Sequence, residues 1–177
     1  MRIGIDIDNT ICSTDEKLCY YENIFINDEN ISRDNIWNDS IYKNKFLNLY
    51  LEKIYKESDL KKDALEVIKK ILLNNEVYII TARSNNYVNN MISLINKYFS
   101  SFDLKIDKII INAKDKVDAC LNNDIDIMID DNLYNYNKLL DNGINSILFD
   151  DKGRNIFVKN RVTCWKDIEK IIANLEE

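Results

Sequence analysis

Two pairs of aspartates hold the chemistry that this sequence could perform. Asp6 and Asp8 lie in the run "IGIDIDNT" at residues 3–10, and Asp130 and Asp131 lie in "DIMIDDN" at residues 126–132. The isoleucines that precede each pair describe a buried strand. A carboxylate at the end of such a strand is costly unless something cationic meets it. Four carboxylates gathered together repel one another and drive pKa values up. An all-oxygen set suits Mg²⁺, which takes one or two carboxylates and keeps positions open for water and phosphate. Thr81, in "VYIITARS", and a lysine at 114 or 116, in "AKDKVD", offer the complementary half: a hydroxyl and an ammonium for phosphate oxygens. Carboxylates, a hard cation and phosphate donors together describe phosphoryl transfer.

Other chemistries are excluded by composition. The chain has no histidine, so Ser-His-Asp and Cys-His catalysis and His-built zinc sites are impossible. Its 3 glycines cannot assemble GxGxxG or a Walker loop. Cys12, Cys19, Cys120 and Cys164 form no CxxC pair and are expected to be reduced packing residues. A net charge of −6 argues against broad binding to a nucleic-acid duplex. Met1 and Arg2 lead straight into the first strand, and no apolar run is long enough to span a bilayer. A cytoplasmic protein with no membrane partner is therefore expected, its 177 residues fitting one domain with a small insertion.

The elements that must position these residues follow from periodicity. Strands are predicted at 2–8, 76–81, 107–111, 125–130 and 144–149, and helices at 63–74, 85–99, 115–122, 133–141 and 165–175. This alternation describes an α/β fold, a doubly wound parallel sheet covered on both faces. Ligands of such sheets bind beyond the carboxyl ends of the strands. Asp6, Asp8, Thr81, Asp130 and Asp131 all fall there, with Lys114 and Lys116 opening the helix between strands three and four. Residues 11–62 break the alternation with helical stretches at 14–26 and 39–57, rich in aromatics. They are read as a helical cap inserted after strand one, leaving 1–10 and 63–177 as the core. Tyr20, Phe25, Phe46 and Tyr50 are expected to pack helix on helix, and Trp165 to be core. Trp37 lies in the polar stretch "RDNIWNDS" between helices, where it could face the site.

The set "DIDNT", "ITAR", a lysine at a helix start and "IDDN", in that order, resembles the haloacid dehalogenase superfamily of phosphotransferases. The match covers residue 2 to about residue 150. Within the superfamily, "NKYFS", "AKDKVD" and "CWKDI" look most like the 5'(3')-deoxyribonucleotidase group and related small bacterial nucleotidases. That resemblance implies a Mg²⁺-dependent phosphatase for a small phosphomonoester, favouring nucleoside monophosphates, and admits a homodimer. It implies that Asp6 is the nucleophile, forming an aspartyl-phosphate, and that Asp8 is the general acid and base. The metal would be held by Asp6, the Asp8 carbonyl and Asp131, with Asp130 close behind. Thr81 and Lys116 would hold the phosphate, assisted by Ala82 and Arg83, while Trp37 on the cap would read the base. Two departures stand out: Asn9 replaces the usual glycine, and "TAR" lacks a second hydroxyl after the threonine. Asn tolerates unusual backbone angles, so accommodation is expected at residue 9.

Three other readings compete. A calcium loop at Asp130–Asp131 would need the EF-hand glycine and terminal glutamate, which are missing. A non-catalytic receiver-like signalling domain would need an aspartate after strand three, where Ile111 and Asn112 stand. A phosphatase for sugar phosphates shares every core motif and differs only in what the cap selects.

Overall fold

The computed structural model describes residues 1–176; residue 177, the last of the expected core segment, lies outside them. The sheet is built around β1 (Arg2–Ile5), flanked by β2 (Glu76–Ile80) and β4 (Ile127–Asp130). Outside these lie β3 (Lys108–Ile110) on one side, and β5 (Asn145–Phe149) then β6 (Arg161–Val162) on the other. The order is β3-β2-β1-β4-β5-β6, with every pairing parallel. The chain builds outward from β1 through β2 and β3, then returns to build the other way from β4. The crevice between β1 and β4 is thus the topological switch point.

Strand alternation assigns the two faces. Ile3, Ile5, Val77, Ile79, Ile127, Ile129 and Ile147 form one face's core with α4 (Ala64–Ile71), α5 (Asn85–Ser100) and α8 (Trp165–Glu176). The other face packs Ile80, Met128 and Ile144 against α6 (Lys116–Leu121) and α7 (Leu133–Asp141). Gly4 points into this second layer, where a Cβ would come within 2.7 Å of Met128 Sδ and 3.0 Å of Ile80 Cδ1. Trp165 is core as expected, its indole donating to Thr10 O at 2.9 Å. β1 is shorter than its periodicity predicts. After Asp6 N donates to Ile129 O, Ile7 O accepts from Ile11 N at 2.9 Å and Cys12 N at 3.1 Å, and the strand becomes a turn. β6 is too short for any pattern to reveal.

Residues 14–57 form α1 (Thr14–Glu29), α2 (Arg33–Asn38) and α3 (Ser40–Glu57). Tyr21, Phe25, Ile36, Phe46 and Ile54 make a separate apolar cluster, with Phe25 edge-on to Phe46 at 5.5 Å and Tyr21 stacked on Tyr50 at 5.0 Å. Tyr20 is not part of it: it is 57% exposed, and Tyr21, one residue along the helix, takes the inward position. The stretch around Trp37 is also helical. α2 is started by Asn35, whose Oδ1 accepts from Ser32 N at 3.0 Å in a capping box that the polar composition concealed. The helices leave and rejoin the sheet through one paired neck, with Ser13 N donating to Asp59 O and Lys61 N to Ile11 O, each at 2.8 Å.

All four cysteines are free. Cys12 and Cys120 are buried packing residues, whereas Cys19 and Cys164 are exposed. No helix among the described residues is long and apolar enough to cross a membrane.

Candidate active site

Asp6 stands one residue beyond β1, its N–H still bonded to Ile129 O of β4 at 3.0 Å. Its buried carboxylate therefore emerges at the switch point. Lys116, the first residue of α6, places Nζ 2.6 Å from Asp6 Oδ1 and also donates to Ile80 O at the end of β2. The helix is fixed for this by Asp115 at its N-cap, which accepts from Val117 N at 3.0 Å and from Lys138 Nζ at 2.5 Å. Lys114 is exposed, so the structure brings Lys116 and not Lys114 to Asp6. Burial pushes the Asp6 carboxyl up to about 7; Lys116 opposes this, and the charges of Asp130 and Asp8 reinforce it.

Asp8 follows two residues later. Its carboxylate accepts from Arg83 Nε at 3.1 Å and 3.0 Å, from Arg83 Nη2 at 2.5 Å and from Thr14 Oγ1 at 2.6 Å. Asn9 between the motif and α1 has φ 55°, the left-handed conformation that its glycine-like position requires. Its side chain exchanges bonds with Asp15, Asn9 Nδ2 donating to Oδ1 at 2.9 Å and Asp15 N to Asn9 Oδ1 at 2.8 Å. The turn is thereby fastened to the first turn of α1.

Thr81, immediately after β2, is buried and its Oγ1 accepts from Arg83 N at 3.2 Å, which leaves its hydroxyl proton to donate. Ala82 is exposed beside it. Arg83 turns back toward Asp8 instead of outward.

Asp130 and Asp131 are distinguished by their partners. Asp130 is fully buried and accepts from Asn132 N at 2.8 Å and from Asn135 Nδ2 at 3.2 and 3.1 Å, with Lys116 Nζ 3.9 Å away. Asp131 is half-buried, and burial pushes its carboxyl up to about 7, aided by the charge of Asp130 and opposed by a hydrogen bond from Asn9. Among the described residues no three acidic or thiol side chains already form a metal cage. The donor chemistry nevertheless fits a hard dication: the available ligands are oxygens, and two of their carboxyls are destabilised as anions by burial and by each other's neighbours.

Trp37 sits on α2 with its ring edge against Phe46 at 5.8 Å and its indole N–H donating to Glu22 Oε1 at 2.8 Å. The aromatic that α3 extends to the acids is Tyr55, whose ring centroid lies 4.0 Å from Arg83 Cζ. Burial pushes its hydroxyl up to about 12, with the negative charge of Asp8 next in effect. In the sequence Tyr55 is only one of the aromatics of the insertion. Its one signal is position, close to the return through the neck. Asn135 and Asp15, which hold Asp130 and Asn9, carry no sequence signal of their own.

Comparison with solved structures returns haloacid dehalogenase folds. A predicted phosphatase from Clostridium acetobutylicum has a TM-score of 0.71 at 13% identity, covering 98% of each chain. The haloacid dehalogenase-type hydrolase YfnB from Bacillus subtilis, bound to magnesium, has a TM-score of 0.68 at 12% identity, covering 97% of this chain and 98% of that one. A haloacid dehalogenase-like hydrolase from Streptococcus pneumoniae has a TM-score of 0.65 at 14% identity, covering 84% of each. No curated protein matches the sequence. Residues 1–176 match the model of the family described as 5' nucleotidase, deoxy (pyrimidine), cytosolic type C. The chain belongs to that family, and is a phosphomonoester hydrolase on a haloacid dehalogenase fold.

Proposed function

We propose that the protein hydrolyses (deoxy)nucleoside monophosphates with Mg²⁺, through an aspartyl-phosphate on Asp6. The observation that carries this reading is the buried Asp6 at the β1/β4 switch point, held by Lys116 at 2.6 Å with Asp8 two residues on. Lys116 engages Oδ1, and Oδ2 is the oxygen we assign to attack. As the bond from Oδ2 to phosphorus forms, the bond to the leaving oxygen breaks and Asp8 delivers a proton to that oxygen. A water then attacks phosphorus, giving its proton to Asp8, and the bond to Asp6 breaks to release phosphate. The Thr81 hydroxyl, the Ala82 N–H and the Lys116 ammonium hold the phosphate oxygens while its charge builds. Asp6, the Asp8 carbonyl and Asp131 would hold the cation, with Asp130 supporting them from behind. A bound Mg²⁺ supplies charge neutralisation for the attacking carboxylate and the phosphate. The magnesium of the YfnB neighbour and the oxygen-only donor set support the same choice.

We assign residues 11–62 as the cap, since the core groups recognise only phosphate and discrimination must come from elsewhere. The deoxynucleotide in the family's description supports a nucleotide as substrate. The four unpaired thiols support a cytoplasmic location. The test is a phosphatase screen over deoxy- and ribonucleoside monophosphates and sugar phosphates, with Mg²⁺ and with EDTA. Turnover of nucleotides that EDTA abolishes and Mg²⁺ restores is the expected result. Hydrolysis confined to sugar phosphates, or insensitive to EDTA, would overturn the substrate or the metal respectively.

A further inference from the structure

Arg83 is held from two directions. At its edge, Nε and Nη2 fork onto the Asp8 carboxylate at 2.5–3.1 Å, and Nη2 also approaches Thr14 Oγ1 at 3.4 Å and Cys12 Sγ at 3.5 Å. Over its plane lies the ring of Tyr55, contributed by α3 of the insertion, at 4.0 Å. Tyr55 is in turn tilted against Tyr87 of α5 at 5.5 Å. The Arg83 side chain is 1% exposed, whereas that of Asp8 is 28% exposed. Nη1 is buried without a hydrogen-bond partner among the described residues, so the group is held at its Nε–Nη2 edge and by the ring.

An aspartate with that much exposure has other rotamers within reach, and a proton donor must sit within hydrogen-bond distance of the leaving oxygen. A planar guanidinium that contacts both carboxylate oxygens fixes the plane of the carboxylate as well as its position, and it does not deprotonate. The ring above fixes the guanidinium. Thr14, at the start of the insertion beside the neck, donates directly to Asp8 at 2.6 Å, and Tyr55, near its end, is the insertion's contact with the guanidinium plane.

We propose that Arg83 is a positioning residue through which the helical insertion, by way of Tyr55, sets the orientation of Asp8. This rests on the reading of Asp8 as proton donor. It separates Arg83 from the phosphate-holding group: the guanidinium acts on the reaction through Asp8, and Tyr55 makes proton delivery sensitive to where the insertion sits.

Leaving-group dependence tests it, because p-nitrophenolate departs without a proton and an alkoxide does not. Arg83→Met, Arg83→Lys and Tyr55→Leu are assayed on p-nitrophenyl phosphate and on the alkyl phosphomonoester that the wild type hydrolyses fastest, beside Asp8→Asn. Arg83→Met should lower kcat on the alkyl ester by about 10²-fold, the effect of misplacing a catalytic group. Both KM values should stay within about twofold, and kcat on p-nitrophenyl phosphate within about threefold. Arg83→Lys should recover little, since a point charge cannot fork. Tyr55→Leu should shift the alkyl-to-aryl ratio in the same direction, and carries the test should Arg83→Met not fold. In the Asp8→Asn background, Arg83→Met should add no further loss.

Equal rises in KM for both substrates, persisting in the Asp8→Asn background, would show Arg83 acting on phosphate and overturn the proposal. A wild-type ratio in Tyr55→Leu would overturn the route through Tyr55. Asp8→Asn losses equal for both esters would overturn the proton role itself and the coupling with it. A selective Asp8→Asn loss beside an unselective Arg83→Met loss would overturn the coupling alone.

Discussion

Lys116 Nζ and Asp6 Oδ1 meet at 2.6 Å across 110 residues of sequence, both buried, at the one crevice where the sheet reverses its order of growth. In the proposed mechanism an ammonium in that place serves two ends: it offsets the burial of Asp6 and presents donors to an incoming phosphate. Lys116→Met should therefore lower kcat/KM for every phosphomonoester by about 10²–10³-fold, the range for removing a charge-stabilising donor. Lys114→Ala, at an exposed position, should stay within about twofold of wild type. Steady-state kinetics of the two variants check this.

Asp6→Asn retains an oxygen to accept from Lys116 but cannot form the acyl phosphate. Turnover should fall to background with the far-UV circular dichroism unchanged. Substantial residual activity in a folded Asp6→Asn protein would contradict covalent catalysis at this residue.

Trp37 is held by Phe46 and by its bond to Glu22, which is also paired with Arg33. Trp37→Ala removes a packed ring and leaves a buried carboxylate with one partner fewer. A loss of about 1–3 kcal/mol in stability is expected. Calorimetry should show the lower Tm, while KM for nucleotides and for p-nitrophenyl phosphate should respond alike. A rise in KM confined to nucleotides would assign Trp37 to base stacking.

Asp150 follows β5 and ties the next loop to β6, accepting from Arg154 N at 3.0 Å, Asn155 N at 2.7 Å and Arg161 Nη1 at 3.2 Å. Burial pushes its carboxyl up, but these bonds outweigh burial and hold it below the usual carboxylate range. A depressed folded pKa stabilises the fold fully above the unfolded value of about 3.9, and that contribution is lost as pH falls through the lower folded value. The wild-type Tm should thus fall more steeply below about pH 4 than that of Asp150→Asn. At neutral pH the variant should be the less stable by about 1–3 kcal/mol. Melting curves across pH 2.5–7 compare the two directly.

Most of the sheet was legible because its strands are apolar runs with turn signals between them, a local pattern that survives in any compact fold of this chain. The placement of Asp6, Asp8, Thr81, Asp130 and Asp131 followed, since a parallel sheet gathers its strand ends on one edge regardless of sequence separation. Lys114 and Lys116 could not be told apart by spacing, as both open the same helix. Only the packing of α6 against Ile80 of β2 and Met128 of β4 turns one inward and leaves the other in water. The direction of Arg83 was equally hidden: its place after a threonine at the strand end suits a phosphate contact, but Asp8, 75 residues away, is its partner in the folded chain. Within the insertion, composition marked the aromatics and no rule of periodicity ranked them. Tyr20 and Tyr21 differ by one step around a helix, and Trp37 and Tyr55 by which end of the unit faces the sheet. Those choices are made by tertiary contacts, because a side chain's partners are fixed by which faces meet, and that is a property of the whole chain.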